Sequence, residues 1–597
     1  MNRPIFETDI SKRVWETRYC LCHGEAIIDS TVEVTWQRIA SALALNENTP
    51  QLWEKRFYNV LEGFHFLPAG RILAGAGSDK EVTLFNCFVM GLIEDSRKGI
   101  DTALSEGAIT MQHGGGVGYD FSTLRPRGSQ GWEKEEDAPG PVALMHEWDK
   151  MCTKLLSRDA RRGAMMGTLR CDHPDIELFI DAKHSPGELL NFNLSVLISD
   201  AFMQAVHDDT EWVLLYPAEG LHESDRRRHP ETIERVWSGS THPAPCHVHR
   251  RVPARALWQR IMQANYETAE PGVLFLDRIN QLNNLAYREQ INATNPCGEV
   301  PLPYYGACDL GSINLARFVR EPFTANAHMD FEGIGNTTSI AVRMLDNVID
   351  LSRFPLDAQR QQTQGNRRIG LGITGLADAL IMLGLHYGKP AARDQAGILM
   401  QTICHAAYRS SIALAEEKGT FPFLDKERYL AQPFIRSLPG DIRDGIASSG
   451  IRNSHLTAIA PTGTISLLAN NISSGIEPVF SFEYQRRLRE TDGSYCNYPL
   501  VNYALRQWQA LFKDRPLPDY FVASADLTPH AQLLMQAALQ PFVDNAISKT
   551  INVPETFDFD AFRMIYEQAF KLGLKGCTTY RPNPVRGAVM TRSARDY

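Results

Sequence analysis

The start of the chain repeats apolar and polar positions with the period of a helix. Its apolar side chains recur at helix-like intervals: Trp36, Ile39, Leu43, Leu52, Phe57 and Val60. Such spacing places side chains on one face of a helix. We therefore predict a helical N-terminal region over residues 1–62.

Beyond this region, short apolar runs alternate with helical patterns. Four runs have the length and composition of possible strands, at 84–93, 191–198, 211–216 and 272–277. Residues 339–354 and 559–573 have helical periodicity instead. Strands and helices that alternate over most of a chain are typical of an α/β fold with parallel strands. The polar region 217–252 is interpreted as a surface excursion within one domain.

The most hydrophobic stretch, residues 371–385, is too short to span a bilayer and contains Asp378. We predict that it forms a buried helix.

A net charge of −9 argues against non-specific binding to nucleic acid or anionic membrane. The first residues lack the apolar run of a signal peptide. Eleven irregularly spaced cysteines do not form the disulfide framework of a secreted protein. We expect a cytoplasmic protein that binds neither nucleic acid nor membrane.

The segment NPCGE, residues 295–299, carries an amide, a thiol and a carboxylate at alternating positions. In extended backbone, alternate side chains share one face, so Asn295, Cys297 and Glu299 are expected to look into one space. They would offer a substrate a hydrogen-bond donor, an oxidisable sulfur and a base. Taken alone, the triplet is more typical of a small buried thiol in a turn.

Two further segments have the composition of ligand-binding loops. In APTGTIS, residues 460–466, hydroxyl side chains stand where a helix can begin, and the free N–H groups of a helix N-terminus suit a phosphate. A threonine-capped helix explains this segment equally well. The glycines of HGGGVG, residues 113–118, allow close approach of the backbone to a ligand or a strand. Neither segment fits a Walker loop or a dinucleotide fingerprint.

The remaining cysteines are not informative one by one. Cys87 and Cys308 lie in apolar surroundings, where an inert core thiol is the usual interpretation. Cys20, Cys22 and His23 offer too few ligands for a zinc site. We identify no metal site made of protein side chains.

Taken together, the segments resemble the large catalytic subunit of ribonucleotide reductases. The likeness runs from about residue 60 to 586 and follows the family's order: LPAGRIL, FNCFV, HGGGVGYDFS, RRGAMMGTL, NFNLSV, NPCGE, CDLGSINLARF, RIGLGITGLADAL and APTGTIS. The resemblance implies a ten-stranded α/β barrel over 63–586, made of two five-stranded parallel halves. A central finger loop would carry Cys297, and a short tail without redox cysteines would follow at 587–597.

The resemblance also implies a reaction, the replacement of the ribose 2′-OH of ribonucleoside diphosphates by hydrogen. Cys297 would carry the thiyl radical that removes the 3′ hydrogen, Glu299 would be the base for the 3′-OH, and Asn295 would bind the ribose hydroxyls. Cys87 and Cys308 would deliver two electrons and end as a disulfide. The implied substrate-binding residues are Ala69, Asn86, Gly116, Pro296, Gly298, Pro461, Thr462, Gly463, Thr464, Ile465 and Ser466.

The source of the radical divides the family. Oxygen-dependent members use a tyrosine pair near the C-terminus, whereas residues 574–583 contain Tyr580 alone. Glycyl-radical members need an R-V-x-G-Y motif, which the terminal SARDY does not match. We therefore expect adenosylcobalamin as the cofactor. The alternatives are the large subunit of an oxygen-dependent reductase with a metal-radical partner, and a non-catalytic nucleotide sensor with the same fold.

Partners are implied by the resemblance as well. Asp95, Ser96 and Arg162 resemble the family's binding region for dNTP or ATP effectors, which lies at a homodimer interface in relatives. Relatives usually carry two tail cysteines that re-reduce the buried pair, whereas no cysteine follows Cys577. We expect a thioredoxin-type reductant to act through a separate chain that carries such cysteines.

Overall fold

The structure, a computed structural model, describes residues 4–24, 26–132, 136–156, 164–489, 495–513, 515–582 and 590–592. Its N-terminal region contains α1 (Asp9–Arg18), β1 (Cys22–His23), β2 (Ala26–Ile27), α2 (Val32–Ala44) and α3 (Pro50–Leu61). The predicted helical start of the chain is confirmed, with one small hairpin between the helices. These helices share a hydrophobic core with the rest of the chain, in which the ring of Trp36 meets that of Phe64 edge-on.

The next part of the chain alternates strands and helices, as predicted. Its elements are β3 (Phe66–Pro68), α4 (Gly70–Gly75), β4 (Cys87–Val89), α5 (Arg97–Gln112), β5 (Gly116–Asp120), α6 (Pro141–Leu156), β6 (Met165–Arg170), α7 (Ile176–Asp181), β7 (Phe192–Ile198), α8 (Asp200–Asp208), β8 (Glu211–Pro217), α9 (Glu223–Arg228), β9 (Thr232–Val236), β10 (Pro243–Pro253), α10 (Ala254–Thr268), β11 (Gly272–Phe275) and α11 (Leu276–Gln281).

The second part begins with a short hairpin of β12 (Ala293–Thr294) and β13 (Pro301–Leu302). It continues with β14 (Ala307–Asn314), β15 (Val319–Arg320), β16 (His328–Met329), α12 (Phe331–Leu351), α13 (Asp357–Asn366), β17 (Ile369–Thr374), α14 (Leu376–Met382), α15 (Pro390–Lys418), α16 (Lys426–Leu430), α17 (Pro433–Ser437), α18 (Gly440–Ser449) and α19 (Gly463–Leu468). The last elements are β18 (Glu483–Arg489), β19 (Tyr495–Val501), α20 (Tyr503–Phe512), α21 (Pro529–Leu539), β20 (Thr550–Asn552), α22 (Phe559–Lys571), β21 (Gly576–Tyr580) and β22 (Met590–Arg592).

Within the described part of the chain, ten strand segments close into a barrel of two parallel halves. In the first half β4, β5, β6, β7 and β11 pair in that order. In the second half β14 pairs with β17, β17 with residues 457–459, these with residue 547 just before β20, and β20 with β21. Antiparallel ladders join the halves at β4–β14 and at β11–β21. The predicted ten-stranded α/β barrel of two five-stranded parallel halves is confirmed.

The hairpin of β12 and β13 lies inside this barrel and is the predicted finger loop. The Thr168 hydroxyl of β6 donates to the Asn292 carbonyl at 3.0 Å, and the N–H of Ala546 donates to the Glu299 carbonyl at 2.9 Å. A Cβ on Gly118 of β5 would clash with the carbonyl of Thr294. The glycine-rich segment therefore makes room for the finger loop, one of the two partners that its composition allowed.

Two predicted elements differ from the structure. Residues 371–385 were predicted as one helix, but residues 371–374 belong to β17, and α14 follows only after Gly375, whose φ is 74°. The prediction is confirmed for the buried helix α14 and wrong for residues 371–374, because an apolar run without periodicity does not distinguish a buried strand from a buried helix. The run 211–216 is a strand, β8, but it pairs with β10 in a separate three-stranded antiparallel sheet with β9. No helix of the described residues is long and apolar enough to cross a bilayer.

Candidate active site

The segment 295–299 forms a tight turn at the tip of the finger loop. The N–H of Gly298, whose φ is 82°, donates to the carbonyl of Asn295 at 3.1 Å. A positive φ is inexpensive only for glycine, which explains the residue after Cys297. The expectation of extended backbone was wrong. The turn, and not strand alternation, brings Asn295 and Glu299 to the same side.

Asn295 and Glu299 both meet the thiol of Cys87. The Asn295 amide Nδ2 donates to Cys87 Sγ at 3.2 Å, and its Oδ1 accepts from the N–H of Val300 at 3.0 Å. The Cys87 Sγ lies 3.9 Å from Glu299 Oε1. An amide, a carboxyl group and a thiol from two distant parts of the chain therefore converge in the barrel.

Burial dominates the electrostatics of this group. It raises the pKa of Glu299 to about 7, against the opposing hydrogen bonds from Asn295 and Cys87. Burial also raises the pKa of Cys87 and of Cys297, and the carboxyl group of Glu299 adds to both shifts. At neutral pH both thiols therefore keep their hydrogen, while Glu299 is poised between its acid and base forms.

Cys87 and Cys308 lie directly opposite each other in the β4–β14 ladder. Residues that face each other across an antiparallel pair have Cα atoms about 4.5–5.5 Å apart, within the range of a disulfide. Both are free thiols in the structure, and Cys308 Sγ donates to the carbonyl of Asp309 at 3.3 Å. The joint between the two barrel halves therefore holds a dithiol that can close.

A cavity of about 440 Å³, the first cavity, borders these groups. Its volume lies within the usual range of a small-molecule site. Its walls include most of the predicted substrate-binding residues, namely Ala69, Asn86, Gly116, Pro296 and residues 461–465, together with Cys87, Asn295, Cys297 and Glu299. Asn86 Oδ1 and Glu299 Oε2 are buried acceptors without a partner among the described residues. Buried acceptors normally have donors, so a ligand with hydroxyl groups would complete this site.

The helix α19 begins at the edge of this cavity. Its first backbone N–H groups, from Gly463 onward, have no partner within the helix. Thr462 precedes it with an unusual left-handed φ of 47°, and its hydroxyl accepts from the N–H of Gly475 at 2.8 Å. The hydroxyls of Thr462 and Ser466 both lie 3.0 Å from that of Thr374. This network fixes the start of α19.

Two predicted substrate residues do not line that cavity. Ser466 is buried behind the helix start and borders a neighbouring cavity. Gly298 borders a smaller cavity of about 270 Å³ on the other side of the finger loop, which Cys297 and Pro296 also line. Cys297 therefore stands between two internal spaces, and its exposed surface faces cavities within the barrel.

The smaller cavity has a different lining, with Lys549, Lys575 and Cys577 in its wall. Burial lowers the pKa of Lys575 to about 7, and its ammonium donates to the carbonyls of Asp544 and Asn545. A third cavity of about 640 Å³ shares Pro461 and Thr550 with the smaller one and is lined by Phe480, Tyr580 and several Ser and Asn side chains. The third cavity also shares Pro461 and Gly463 with the first one, and Cys297 borders only the first and the smaller cavity.

The predicted effector residues lie elsewhere. Asp95 accepts from Arg125 at 2.7 Å and from the Trp132 indole, and Ser96 caps α5 by accepting from the N–H of Gly99. Neither borders the three cavities around Cys297. Arg162 lies outside the residues that the structure describes.

Sequence reasoning missed the contribution of the N-terminal region. Arg18 and Tyr19, at the end of α1, line the first cavity, and so does Arg71 of α4. Arg71 stands inside the quoted motif LPAGRIL, which was the available signal. Arg18 and Tyr19 lie in a segment where nothing in the local sequence pointed to a cavity.

Comparison with known proteins agrees with this geometry. The profile described as "Ribonucleotide reductase, barrel domain" matches residues 85–580, and "Ribonucleotide reductase, all-alpha domain" matches residues 5–81. A "Vitamin B12-dependent ribonucleoside-diphosphate reductase" of Mycobacterium tuberculosis is 37% identical over 91% of this chain and 74% of its own length. A protein of the same description from Thermoplasma acidophilum is 31% identical over 94% of this chain and 69% of its own.

More distant relatives bear a different description. A "Ribonucleoside-diphosphate reductase subunit alpha" of Chlamydia pneumoniae is 27% identical over 92% of this chain and 56% of its own length. Both domain profiles and the relatives cover nearly the whole chain in the order seen in the fold. The chain belongs to the ribonucleotide reductase family, in which it is a large, barrel-bearing chain.

Proposed function

We propose that the chain reduces ribonucleoside diphosphates to 2′-deoxyribonucleotides by thiyl-radical chemistry at Cys297. The observation that carries this proposal is the convergence of Cys297, Asn295, Glu299 and Cys87 around one cavity, with Cys308 directly opposite Cys87 in the β4–β14 ladder. These groups can supply a hydrogen-atom acceptor, a base and two electrons.

In the proposed reaction, a thiyl radical on Cys297 Sγ removes the 3′ hydrogen of the ribose. Glu299 takes the proton of the 3′-OH, and the Asn295 amide orients the ribose hydroxyls. Because burial raises the pKa of Glu299 to about 7, a large share of the carboxyl groups is ionised at neutral pH. A base with a pKa near the working pH is the most effective one.

The electrons come from the opposed thiols. Loss of the 2′-OH as water takes up one proton, which Cys87 is placed to give since its thiol stays neutral. Cys87 and Cys308 give up two electrons and two protons in all, including the proton taken up by the leaving water, and end as a disulfide. The ribose carbon gains hydrogen, and Cys297 recovers its own on each cycle. The enclosed barrel keeps water from the radical.

The substrate is held at both ends of the cavity. We propose that Ala69, Asn86, Gly116 and Pro296 contact the ribose, and that residues 461–465 hold the diphosphate through the N–H groups at the start of α19. The basic side chains of Arg18 and Arg71 border the same cavity, which favours an anionic ligand. Gly298 contributes to substrate binding indirectly, because it makes the turn that carries Cys297. Ser466 contributes through the hydrogen bond between its hydroxyl and that of Thr462.

The proposed cofactor is adenosylcobalamin, which supplies an organic radical through homolysis of its cobalt–carbon bond. We propose that it binds at the cavities of about 270 Å³ and 640 Å³, the smaller of which Cys297 borders. Their mixed lining suits a corrin, which carries an apolar ring and amide side chains. Asn552 could bind such an amide, and Lys549 and Thr550 would border the bound group.

The two relatives described as vitamin B12-dependent support this choice over a metal-radical partner, since they are more similar than the Chlamydia chain. The test is to incubate the purified chain with adenosylcobalamin, a dithiol and either CDP or CTP, without oxygen. We expect deoxycytidine diphosphate from CDP and no need for a second radical subunit. A chain that is inert here but active with an iron or manganese protein is an oxygen-dependent subunit. Nucleotide binding without product under both conditions would identify a sensor.

Regulation and partners complete the proposal. We propose that the chain works in the cytoplasm as a homodimer, and that dNTP or ATP effectors bind near Asp95 and Ser96. The basic side chains Arg97 and Lys98 border a shallow depression next to these residues.

We also propose that a thioredoxin-type system re-reduces the Cys87–Cys308 disulfide through a small dithiol segment, because a folded protein cannot reach sulfurs buried in a barrel. Effector-dependent changes in substrate preference and sedimentation with and without effector test the first two points.

A further inference from the structure

The first cavity, of about 440 Å³, is the one proposed to hold the nucleotide and is called the nucleotide cavity below. A second pair of thiols lies beside its wall and has no part in the proposed reaction. Cys20 and Cys22 flank Leu21 just after α1, where the backbone bends, and their sulfurs are 3.9 Å apart. Cys22 is exposed on the small hairpin, while Cys20 is partly buried and donates its S–H to the carbonyl of Asp29 at 3.3 Å. Two thiols at van der Waals distance need only a small movement to form a bond of about 2.05 Å.

The segment that carries them is tied to the cavity wall. Tyr19, directly before Cys20, lines the cavity, and its hydroxyl lies 3.2 Å from the place where a Cβ on Gly70 would stand. Arg38 donates to the carbonyl of Tyr19, to the Asp29 carboxylate and to the carbonyl of Leu73 in α4. A displacement of Cys20 is therefore passed to Tyr19 and to the helix that starts at Gly70.

We propose that Cys20 and Cys22 are a reversible dithiol–disulfide pair at the rim of the nucleotide cavity, oxidised by organic disulfides, and that their oxidation weakens nucleotide binding. The second half of this statement rests on the proposed function. In the exchange, the exposed Cys22 thiolate attacks the organic disulfide and releases one thiol. Cys20 then displaces the second thiol from the mixed disulfide. The protein loses two electrons and two protons, and the organic disulfide becomes two thiols.

Formation of the disulfide would move Cys20 and, with it, Tyr19. Cys20 loses the hydrogen that bonds the Asp29 carbonyl, and its sulfur moves toward Cys22. Burial and the neighbouring Cys22 raise the pKa of Cys20 to about 11, which makes it the resolving thiol and Cys22 the attacking one. Tyr19 must shift with Cys20, so its packing against Gly70 is disturbed in the oxidised form.

The test uses the full chain in glutathione buffers of graded redox potential, followed by alkylation and digestion with trypsin. Cleavage after Arg18 and Arg38 gives a peptide, residues 19–38, with Cys20 and Cys22 as its only cysteines. We expect both alkyl groups to be lost together, with a mass decrease of two hydrogens, and to return after dithiothreitol. Labels that persist on both residues in the most oxidising buffer, or a glutathione adduct on Cys22 alone, would overturn the redox pair.

The coupling to the cavity is tested with Cys22→Ser, which removes an exposed thiol and leaves Cys87 and Cys308 in place. Wild type and variant receive the same oxidation, so their buried cysteines respond alike. We expect CDP to bind the oxidised wild type several-fold more weakly than the oxidised variant, and to bind the two reduced proteins equally. Equal affinities after oxidation would overturn the coupling. Reduced proteins that bind no CDP at all would contradict the proposed function, whereas the labelling result would still decide the redox pair.

Discussion

The two joints between the barrel halves, the β4–β14 and β11–β21 strand pairs, have the same antiparallel backbone pairing but different side chains. At β4–β14 Cys87 faces Cys308, and at β11–β21 Val273 faces Cys577. All three cysteines are buried, and burial raises the pKa of Cys577 to about 12, as it raises that of the other two. A single thiol opposite a valine cannot form a disulfide. The comparison teaches that the joint alone does not make a redox site.

The surroundings of the joints differ as well. Asn295 and Glu299 meet Cys87, whereas the finger loop contributes neither an amide nor a carboxylate to Cys577. Cys297 borders a cavity on each side. The first joint thus combines electrons with acid–base groups, and the second forms part of the wall of the cavity proposed for the cofactor.

The largest effect is expected from the residue that lies between the joints. Cys297→Ala should lower deoxynucleotide formation below detection, because no other described thiol borders both cavities. Its side chain faces a cavity, so the fold should persist. The measurement is product formation from CDP, with CDP affinity as the control for folding. Measurable product from this variant would contradict the proposed radical site.

Variants at the two joints should differ in product yield when no reductant is added. Pre-reduced wild type without added reductant should make about one deoxynucleotide per Cys87–Cys308 pair, since each turnover oxidises one dithiol. Cys87→Ser and Cys308→Ser should make essentially none, whereas Cys577→Ser should keep the wild-type yield.

The readout is product per chain in a single anaerobic incubation, with alkylation of the two joints before and after. A yield that falls equally in all three variants would remove the distinction between the joints.

Glu299 should have a smaller effect than the thiols. Glu299→Gln keeps the shape of the side chain but cannot take a proton, so the rate should fall about 10²- to 10⁴-fold. The wild-type kcat/KM should rise with pH through about 7, because the pKa of Glu299 is raised and its base form exists above that value. The rise should vanish in Glu299→Gln. A pH profile shared by both proteins would assign the ionisation to another group.

The smallest effect concerns the second joint. Val273→Cys places a thiol directly opposite Cys577, in the register that Cys87 and Cys308 occupy. A disulfide should form under mild oxidation and stabilise the fold by about 2–4 kcal/mol, the usual range for a disulfide of good geometry.

Thermal unfolding with and without a reductant measures the stabilisation. In a Cys87→Ser background this new pair should not restore product, because it meets neither Asn295 nor Glu299. Restored product would show that two electrons near the barrel centre are enough.

Much of the fold could be predicted from local patterns. Helical periodicity located α2, α3 and α22, and apolar runs located β7 and β11. The pattern failed at residues 371–385, where a buried strand and a buried helix have the same apolar composition, and it could not tell that β8 belongs to a separate sheet. The partner of a strand depends on contacts between residues far apart in the chain, which local periodicity does not contain.

The site shows the same division. The sequence by itself determined which chemical groups are present, since NPCGE, FNCFV, CDLGSINL and APTGTIS occur together and in one order. It also determined that Gly298 could make a turn and that Gly118 could admit another backbone. Only the tertiary structure decided that Cys87 faces Cys308 and Cys577 faces Val273, that Cys297 stands between two cavities, and that Arg18 and Tyr19 line the larger of these two. The physical reason is that closure of the barrel sets strand register and burial, and these fix both the distances and the pKa values on which the chemistry depends.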